Sequence, residues 1–172
     1  PLKKLIDLGI APEAYAILGQ IYTNKAGSLM STYKTSQQES DSLSAMQEYN
    51  KAIELLEQGR AKFPQDSDIL LQLSNAYIGA NKLDVALNAF RDGVTQEPDN
   101  KYYRYNYGVL LLNSGDFTGA ESQFIEAVQI DPDYINAIYN LAVTYVRWGT
   151  EMREEMEEKG EVNAFKKADE TK

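Results

Sequence analysis

Residues 67–100 read "SDILLQLSNAYIGANKLDVALNAFRDGVTQEPDN" and residues 101–134 read "KYYRYNYGVLLLNSGDFTGAESQFIEAVQIDPDY". Laid one under the other they fall into register at an interval of 34 residues: Ala86 over Ala120, Phe90 over Phe124, Gly93 over Ala127 and Pro98 over Pro132. Acids flank both prolines (Glu97 and Asp99, Asp131 and Asp133), and one interval earlier Pro64 is followed after one residue by Asp66. Upstream, Leu73, Tyr107 and Leu141 make one column, Ser74, Gly108 and Ala142 a column of small residues beside it, and Tyr77, Leu111 and Tyr145 a third. Self-similarity at a fixed interval marks a repeat architecture, in which each unit buries its apolar face on its neighbours.

Within a unit the apolar period is helical. Leu70, Leu73 and Tyr77, then Leu83, Leu87 and Phe90, are spaced by threes and fours, the pattern of one buried helix face. The break "GANKLD" between them carries Gly79 and Asn81, and the next unit has "NSGDF" there, so each unit reads as two helices around a turn. The proline closes the second helix, having no amide to donate and disfavouring helix in the residue before it. The small column marks where the two helices approach most closely.

These columns resemble the tetratricopeptide repeat, a helix-turn-helix unit with a Leu-Gly…Tyr, Ala…Phe, Pro signature. The signature stands here as "LQLSNAY", "ALNAF", "EP" and as "YNYGVLL", "AESQF", "DP". An earlier copy begins "PEAYAILGQIY", with Tyr15, Leu18, Gly19 and Tyr22 in register, and a fourth begins "YINAIYNLAVTY". The resemblance spans about residues 12 to 149 and implies an all-α superhelix, a solenoid of antiparallel helix pairs. HEAT-type repeats are longer and lack the proline spacing. Pentatricopeptide repeats read RNA and call for basic surfaces, against a net charge of -9.

The chain is expected to form a single domain of such pairs. Residues 1–10 read as the end of a preceding helix, 12–66 as repeat 1 with an insertion, 67–100 as repeat 2, 101–134 as repeat 3, and 135–172 as a partial repeat 4 with a long terminal helix. In repeat 1 the alanine due at Ser31 arrives at Ala52, 21 residues late, all of the excess lying between the two helices. A flexible loop is one reading. Extension of both helices by about 10 residues, or roughly 15 Å, is the other. Apolar spacing favours the second: Tyr22, Ala26, Leu29 and Tyr33 on the outgoing arm face Leu43, Met46, Tyr49, Ile53 and Leu56 on the return, as in a short antiparallel coiled coil. The turn is expected near "QQESDS", with Asp41 or Ser42, or Ser44 paired with Gln47, capping the return helix.

The last unit repeats the device. Met152 and Met156 follow Tyr145 at the spacing of Leu29 and Tyr33 from Tyr22, and no Ala…Phe…Pro helix follows. The sequence therefore predicts a long helix continuing through the Glu-rich end, whose partner lies beyond residue 172. With "LKKLIDLG" reading as the end of an earlier unit, the chain is expected to be a segment of a longer array. Its terminal apolar faces are candidates for homo-oligomerisation.

Chemistry is scarce. The 172 residues contain neither Cys nor His, which excludes disulfides, thiolate sites, the Ser-His-Asp triad and the commonest metal ligand. Paired acids such as Asp131 and Asp133 flank a turn, the acids at 154–158 form a solvated charge run, and no phosphate-binding glycine loop occurs. No enzymatic activity, cofactor or metal is expected. The negative charge disfavours nucleic acid and anionic membranes, including at the tyrosine-rich "DNKYYRYNYG", where Tyr107 belongs to a buried column and Tyr103 faces a neighbouring unit. No apolar run is long enough to insert in a membrane. Compartment stays open between cytoplasmic and exported: long-helix variants of the repeat are similar to those of exported bacterial proteins, and a processed leader leaves no trace.

By the resemblance, the first helix of each unit lines a concave groove. That assigns to it Glu13, Ala16, Gln20 and Thr23, with Asn24 just past them; Asp68, Leu71, Asn75 and Ile78; Tyr102, Tyr105, Val109 and Leu112; and Asn136, Tyr139, Val143 and Val146. The candidate partner-binding residues are Gln20, Asn24, Leu71, Asn75, Tyr102, Tyr105, Val109, Tyr139 and Val143. Leu71, Tyr105 and Tyr139 form an apolar strip, and Asn75 offers an amide to a peptide backbone. Chaperone-binding members of the family hold a terminal carboxylate with a Lys/Asn/Arg clamp. Ala16 and Gln20 stand where its first Lys and Asn would be. An extended apolar or aromatic peptide, or a partner helix, fits this face better. An oligomerisation module and an accessory domain of a larger protein are the alternative functions.

Overall fold

The repeat columns are the contacts that hold the chain together. Ala52, Ala86 and Ala120 retain no exposed surface, and neither do Leu56, Phe90 and Phe124 in the next column. In the computed structural model, which describes residues 2–8 and 11–159, those residues are the inward stripe of the second helix in three successive pairs. The described chain runs α1 (Leu2–Leu8), α2 (Pro12–Ser36), α3 (Glu39–Lys62), α4 (Ser67–Gly79), α5 (Leu83–Gln96), α6 (Lys101–Ser114), α7 (Phe117–Ile130) and α8 (Ile135–Glu158), with no strand among the described residues. The pairs are α2/α3, α4/α5 and α6/α7, and α8 stands as a first helix after them. The first helices pack in series, α2 on α4, α4 on α6 and α6 on α8, while α3, α5 and α7 each pack on the first helix of the next pair. The fold is an all-α solenoid.

Local chemistry sets the boundaries. Two residues after Pro64, the Asp66 carboxylate caps α4 by accepting the Ile69 amide at 2.9 Å. Two residues after Pro98, the Asn100 side chain caps α6 by accepting the amides of Tyr102 at 3.0 Å and Tyr103 at 3.3 Å. A proline stop followed by a polar start thus separates successive pairs. Asn100 also donates to the Pro64 carbonyl at 3.3 Å, tying one inter-repeat turn to the previous one. Inside the pairs, Asn81 and Gly115 take left-handed φ values of 55° and 83°. Gly79, which read as a turn residue beside Asn81, is instead the last residue of α4 and lies against the ring of Tyr49.

Contact distance explains the small column. A Cβ on Gly108 would lie 2.7 Å from the Phe124 ring, and one on Gly19 within 2.5 Å of the Leu56 side chain. The fourth member, Ala142, is exposed, because no described element covers that side of α8. The core forms two main clusters, one from Ile6 to Leu110 and one from Leu111 to Ala137. Tyr103 seals the repeat 2–repeat 3 boundary edge-on to Phe90, with ring centres 5.9 Å apart.

The opening insertion is helical. α2 and α3 have 25 and 24 residues against 13 and 14 in the next pair, and only Gln37 and Gln38 separate them. Ala26, Ala45 and Tyr49 are buried between the arms. A small third cluster of Ala26, Tyr49 and Ala80 locks the hairpin root to the end of α4.

Two details depart from expectation. Leu43 is 64% exposed, and Ala45, with no exposed surface, is the buried residue at this end of the return arm. The return helix also starts earlier than Asp41 or Ser42. It begins after Gln38, which makes no side-chain cap. Ser36 organises the turn instead, donating to Asp41 at 2.8 Å and accepting the Gln38 amide at 3.2 Å. At the other end α8 spans 24 residues, one fewer than α2. The expected continuation of that helix past residue 159 falls outside the described residues.

Candidate partner-binding face

All nine candidate residues lie on first helices: Gln20 and Asn24 on α2, Leu71 and Asn75 on α4, Tyr102, Tyr105 and Val109 on α6, Tyr139 and Val143 on α8. Gln20, Asn24, Leu71, Asn75 and Tyr139 are exposed, with Leu71 at 40% and Tyr139 at 67%. Tyr102, Tyr105, Val109 and Val143 are half-buried, and the last three also pack on the second core cluster.

Three of the nine converge. Leu71, Tyr102 and Tyr105 line a hollow of about 170 Å³ together with Ser67, Asp68, Asn106, Tyr134 and Asn136. The other six lie outside it. The hollow sits where α4, α6 and α8 run side by side near their N-terminal ends. Its aromatic wall is ordered by edge-on contacts, Tyr105 to Tyr134 at 5.3 Å and Tyr102 to Tyr134 at 5.9 Å between ring centres. Lys101 lies 5.1 Å from the Tyr102 ring centre and 5.2 Å from that of Tyr134, and its ammonium is held by Asp131. Asn140 donates to the Tyr105 hydroxyl at 3.1 Å. Burial pushes the Tyr105 and Tyr134 phenols above their ordinary range, so both stay neutral. Beneath them the buried Asn106 accepts from Ser74 at 3.1 Å and donates to the Tyr102 carbonyl at 2.8 Å, which fixes α6 against α4.

Tyr134 and Asn106 were absent from the sequence-derived candidates. Tyr134 precedes α8 and reaches the hollow from the inter-repeat turn. A signal for it existed in position, since it closes the interval after Pro132 at the place Asn100 holds after Pro98. Asn106 stands one interval before Asn140, a polar column inside an apolar face.

A larger depression, about 740 Å³, lies over α7, and three of its four charged groups, all but Asp99, are engaged. Arg104 pairs with Glu126 and donates to the Pro98 carbonyl at 2.6 Å, Ser122 donates to Glu126, and Tyr145 donates to Glu121. Among the described residues no group of three or more acidic ligands is placed to hold a metal, and no helix is long and apolar enough to cross a membrane.

Comparison with known proteins agrees with the architecture. Two family profiles, both described as tetratricopeptide repeat, match residues 43–110 and 102–134. A TPR repeat-containing thioredoxin of Arabidopsis thaliana is 31% identical over 84 residues, 49% of this chain and 12% of that protein. A peroxisomal targeting signal receptor of Eremothecium gossypii is 29% identical over 84 residues, 49% of this chain and 15% of the receptor. The match thus takes in only a small part of either curated relative. Among solved structures, the Sgt2 TPR domain of Aspergillus fumigatus superposes with a TM-score of 0.52 at 15% identity, covering 78% of this chain and 82% of that one. The first TPR domain of human RPAP3 gives 0.52 at 13% identity, covering 80% and 98%. At such identities the likeness is one of fold.

Proposed function

Because this chain belongs to the tetratricopeptide repeat family, we propose that it is a protein-interaction scaffold that takes an extended apolar or aromatic peptide, or a partner helix, across the face of its first helices, without catalysis of its own. The observation that carries this reading is the tyrosine-walled hollow beside exposed Leu71, with Tyr139 standing free along the same face. An aromatic wall with polar groups at its rim is the usual composition of a binding hot spot. The hollow is pre-organised by ring contacts and hydrogen bonds, which lowers the entropy lost on binding. Gln20, Asn24 and Asn75 would serve the peptide backbone along the groove, and Val109 and Val143 would floor it. A relative named as a targeting signal receptor supports a role in recognising protein segments.

The test is peptide selection from a random library on the intact chain, followed by affinity measurement for the selected peptides. Leu71→Asp and Tyr139→Ala alter exposed side chains and are expected to weaken binding at least tenfold with the thermal midpoint unchanged. Equal affinity in both variants would remove this face from the reading.

A further inference from the structure

We propose that this protein self-associates as a two-fold dimer through antiparallel pairing of one stripe on α8: Ile138, Ala142, Tyr145, Gly149, Met152 and Met156. The stripe steps by four, three, four, three and four residues, the spacing of a helix seam. α2 carries the same series at Tyr15, Gly19, Tyr22, Ala26, Leu29 and Tyr33. There the small residues receive large ones from α3: Gly19 meets Leu56, and Ala26 clusters with Tyr49. α8 has small residues at the same two places, and among the described residues nothing fills them. Ala142 is exposed, and a Cβ added to Gly149 meets nothing within 4 Å. The large members stand open, Ile138 at 41%, Tyr145 at 48%, Met152 at 53% and Met156 at 37%.

A second copy is the occupant because the stripe complements itself. With the two-fold axis beside residue 147, Tyr145 falls on Gly149 of the partner subunit, Met152 on the partner's Ala142 and Met156 on the partner's Ile138. Large side chains thus meet small ones at the two crossings where α2 and α3 do the same. The relation is isologous, so it closes at two. Tyr145 is already positioned, since its hydroxyl donates to Glu121 on α7 and its ring stays free. Charge selects the antiparallel sense. Parallel helices would bring together the two runs containing Glu151, Glu154, Glu155, Glu157 and Glu158. Antiparallel ones lay each run beside the uncharged first half of the other α8, near the positive end of its dipole. This inference is independent of the peptide groove.

Sedimentation equilibrium on the whole chain, from low to high micromolar concentration, is expected to show a reversible monomer–dimer equilibrium. Gly149→Phe puts a ring into space that is open in the single copy and would be filled by the partner's Tyr145. It is expected to weaken association at least tenfold while leaving the helical spectrum and melting of dilute protein intact. Because the chain has no cysteine, single-cysteine variants report the sense of pairing. Val146→Cys, level with the axis and within about 10 Å of its counterpart at an ordinary helix separation, is expected to be joined to it by a short bis-maleimide cross-linker. Glu158→Cys, roughly 33 Å from its counterpart at 1.5 Å per residue, is not. A monomer at every concentration, a Gly149→Phe variant that associates like the parent, a Val146→Cys variant that does not cross-link, or cross-linking of Glu158→Cys as readily as Val146→Cys would each overturn the proposal.

Discussion

Gly108 and Gly149 both interrupt helices that would be more stable with alanine, and their surroundings make opposite demands. At Gly108 an added methyl meets the fully buried ring of Phe124 at 2.7 Å. That ring also packs on Tyr105, with ring centres 6.0 Å apart, so it has a neighbour beside the helix contact. Gly108→Ala is therefore expected to destabilise the chain by about 1–3 kcal/mol, the usual cost of overpacking. At Gly149 the methyl enters open space, and only helix propensity changes. Gly149→Ala is expected to raise stability by up to about 1 kcal/mol in dilute protein. Urea denaturation of the two variants checks both signs, and a neutral Gly108→Ala would show that the α6–α7 contact yields. In the sequence the two glycines look alike. The column that contains Gly108 was legible from its 34-residue interval, but the difference in demand was not, because it depends on how closely a second helix approaches.

At the scale of the element, the α2/α3 hairpin has a firm root and a thin tip. Tyr49 is 6% exposed and packs on Ala26, Gly79 and Ala80, so truncation to Ala leaves a cavity between two repeats and is expected to cost about 3–5 kcal/mol. Leu43, at 64% exposure, is expected to change stability by no more than about 0.5 kcal/mol when truncated. Denaturant midpoints of Tyr49→Ala and Leu43→Ala decide this, and similar losses in both would mean that the tip carries a packed seam after all. The root also holds a charge cluster. Glu48 is 6% exposed and accepts from Lys51 at 2.8 Å and from Lys25 at 3.2 Å. The Lys51 hydrogen bond leads in holding its carboxyl below the usual range, against burial. A carboxyl lowered on folding contributes stability above its unfolded value and loses it as pH falls through the folded value. Melting temperature is expected to drop as pH goes below about 4.5, with a shallower drop in Glu48→Gln. The length of this hairpin was legible, since the 21 extra residues carry helical apolar spacing on both arms, which favours helix over loop. Its inner face and its cap were not. The spacing of Leu43 is that of a seam residue, but the separation of the arms decides which side chains meet there. Ser36 carries no signal in the sequence, because its partners, Asp41 and the Gln38 amide, meet it only once the turn has closed.

At the scale of the whole molecule, the described helices touch only within a repeat or between adjacent repeats, and stability in such an array is close to a sum of unit and interface terms. The face of first helices was legible as a consequence of the interval, which places Leu71, Tyr105 and Tyr139 at one position in successive units. Its aromatic wall was only half legible, because Tyr134 enters from a turn that helical periodicity does not address. The same neighbour logic fixes where the chain opens first. α4 and α6 are flanked by helices on both sides and hold Leu70, Leu73, Asn106 and Leu110 at 2% exposure or less. α8 as far as Trp148 is pinned by that residue's ring, stacked 6.2 Å from Phe117 on α7, and by the buried Ala137 and Thr144. From Gly149 to Lys159 every residue is exposed. Amide exchange in dilute protein is therefore expected to be slowest in α4 and α6, intermediate in residues 137–148 and fastest in residues 149–158, since opening free energy follows the buried contacts broken. Raising the protein concentration should slow exchange selectively over 138–156 if a second copy covers the stripe, and leave α4 and α6 unchanged. Uniform protection along α8 in dilute protein, or a concentration effect confined to the first helices, would contradict this order and the packing from which it follows.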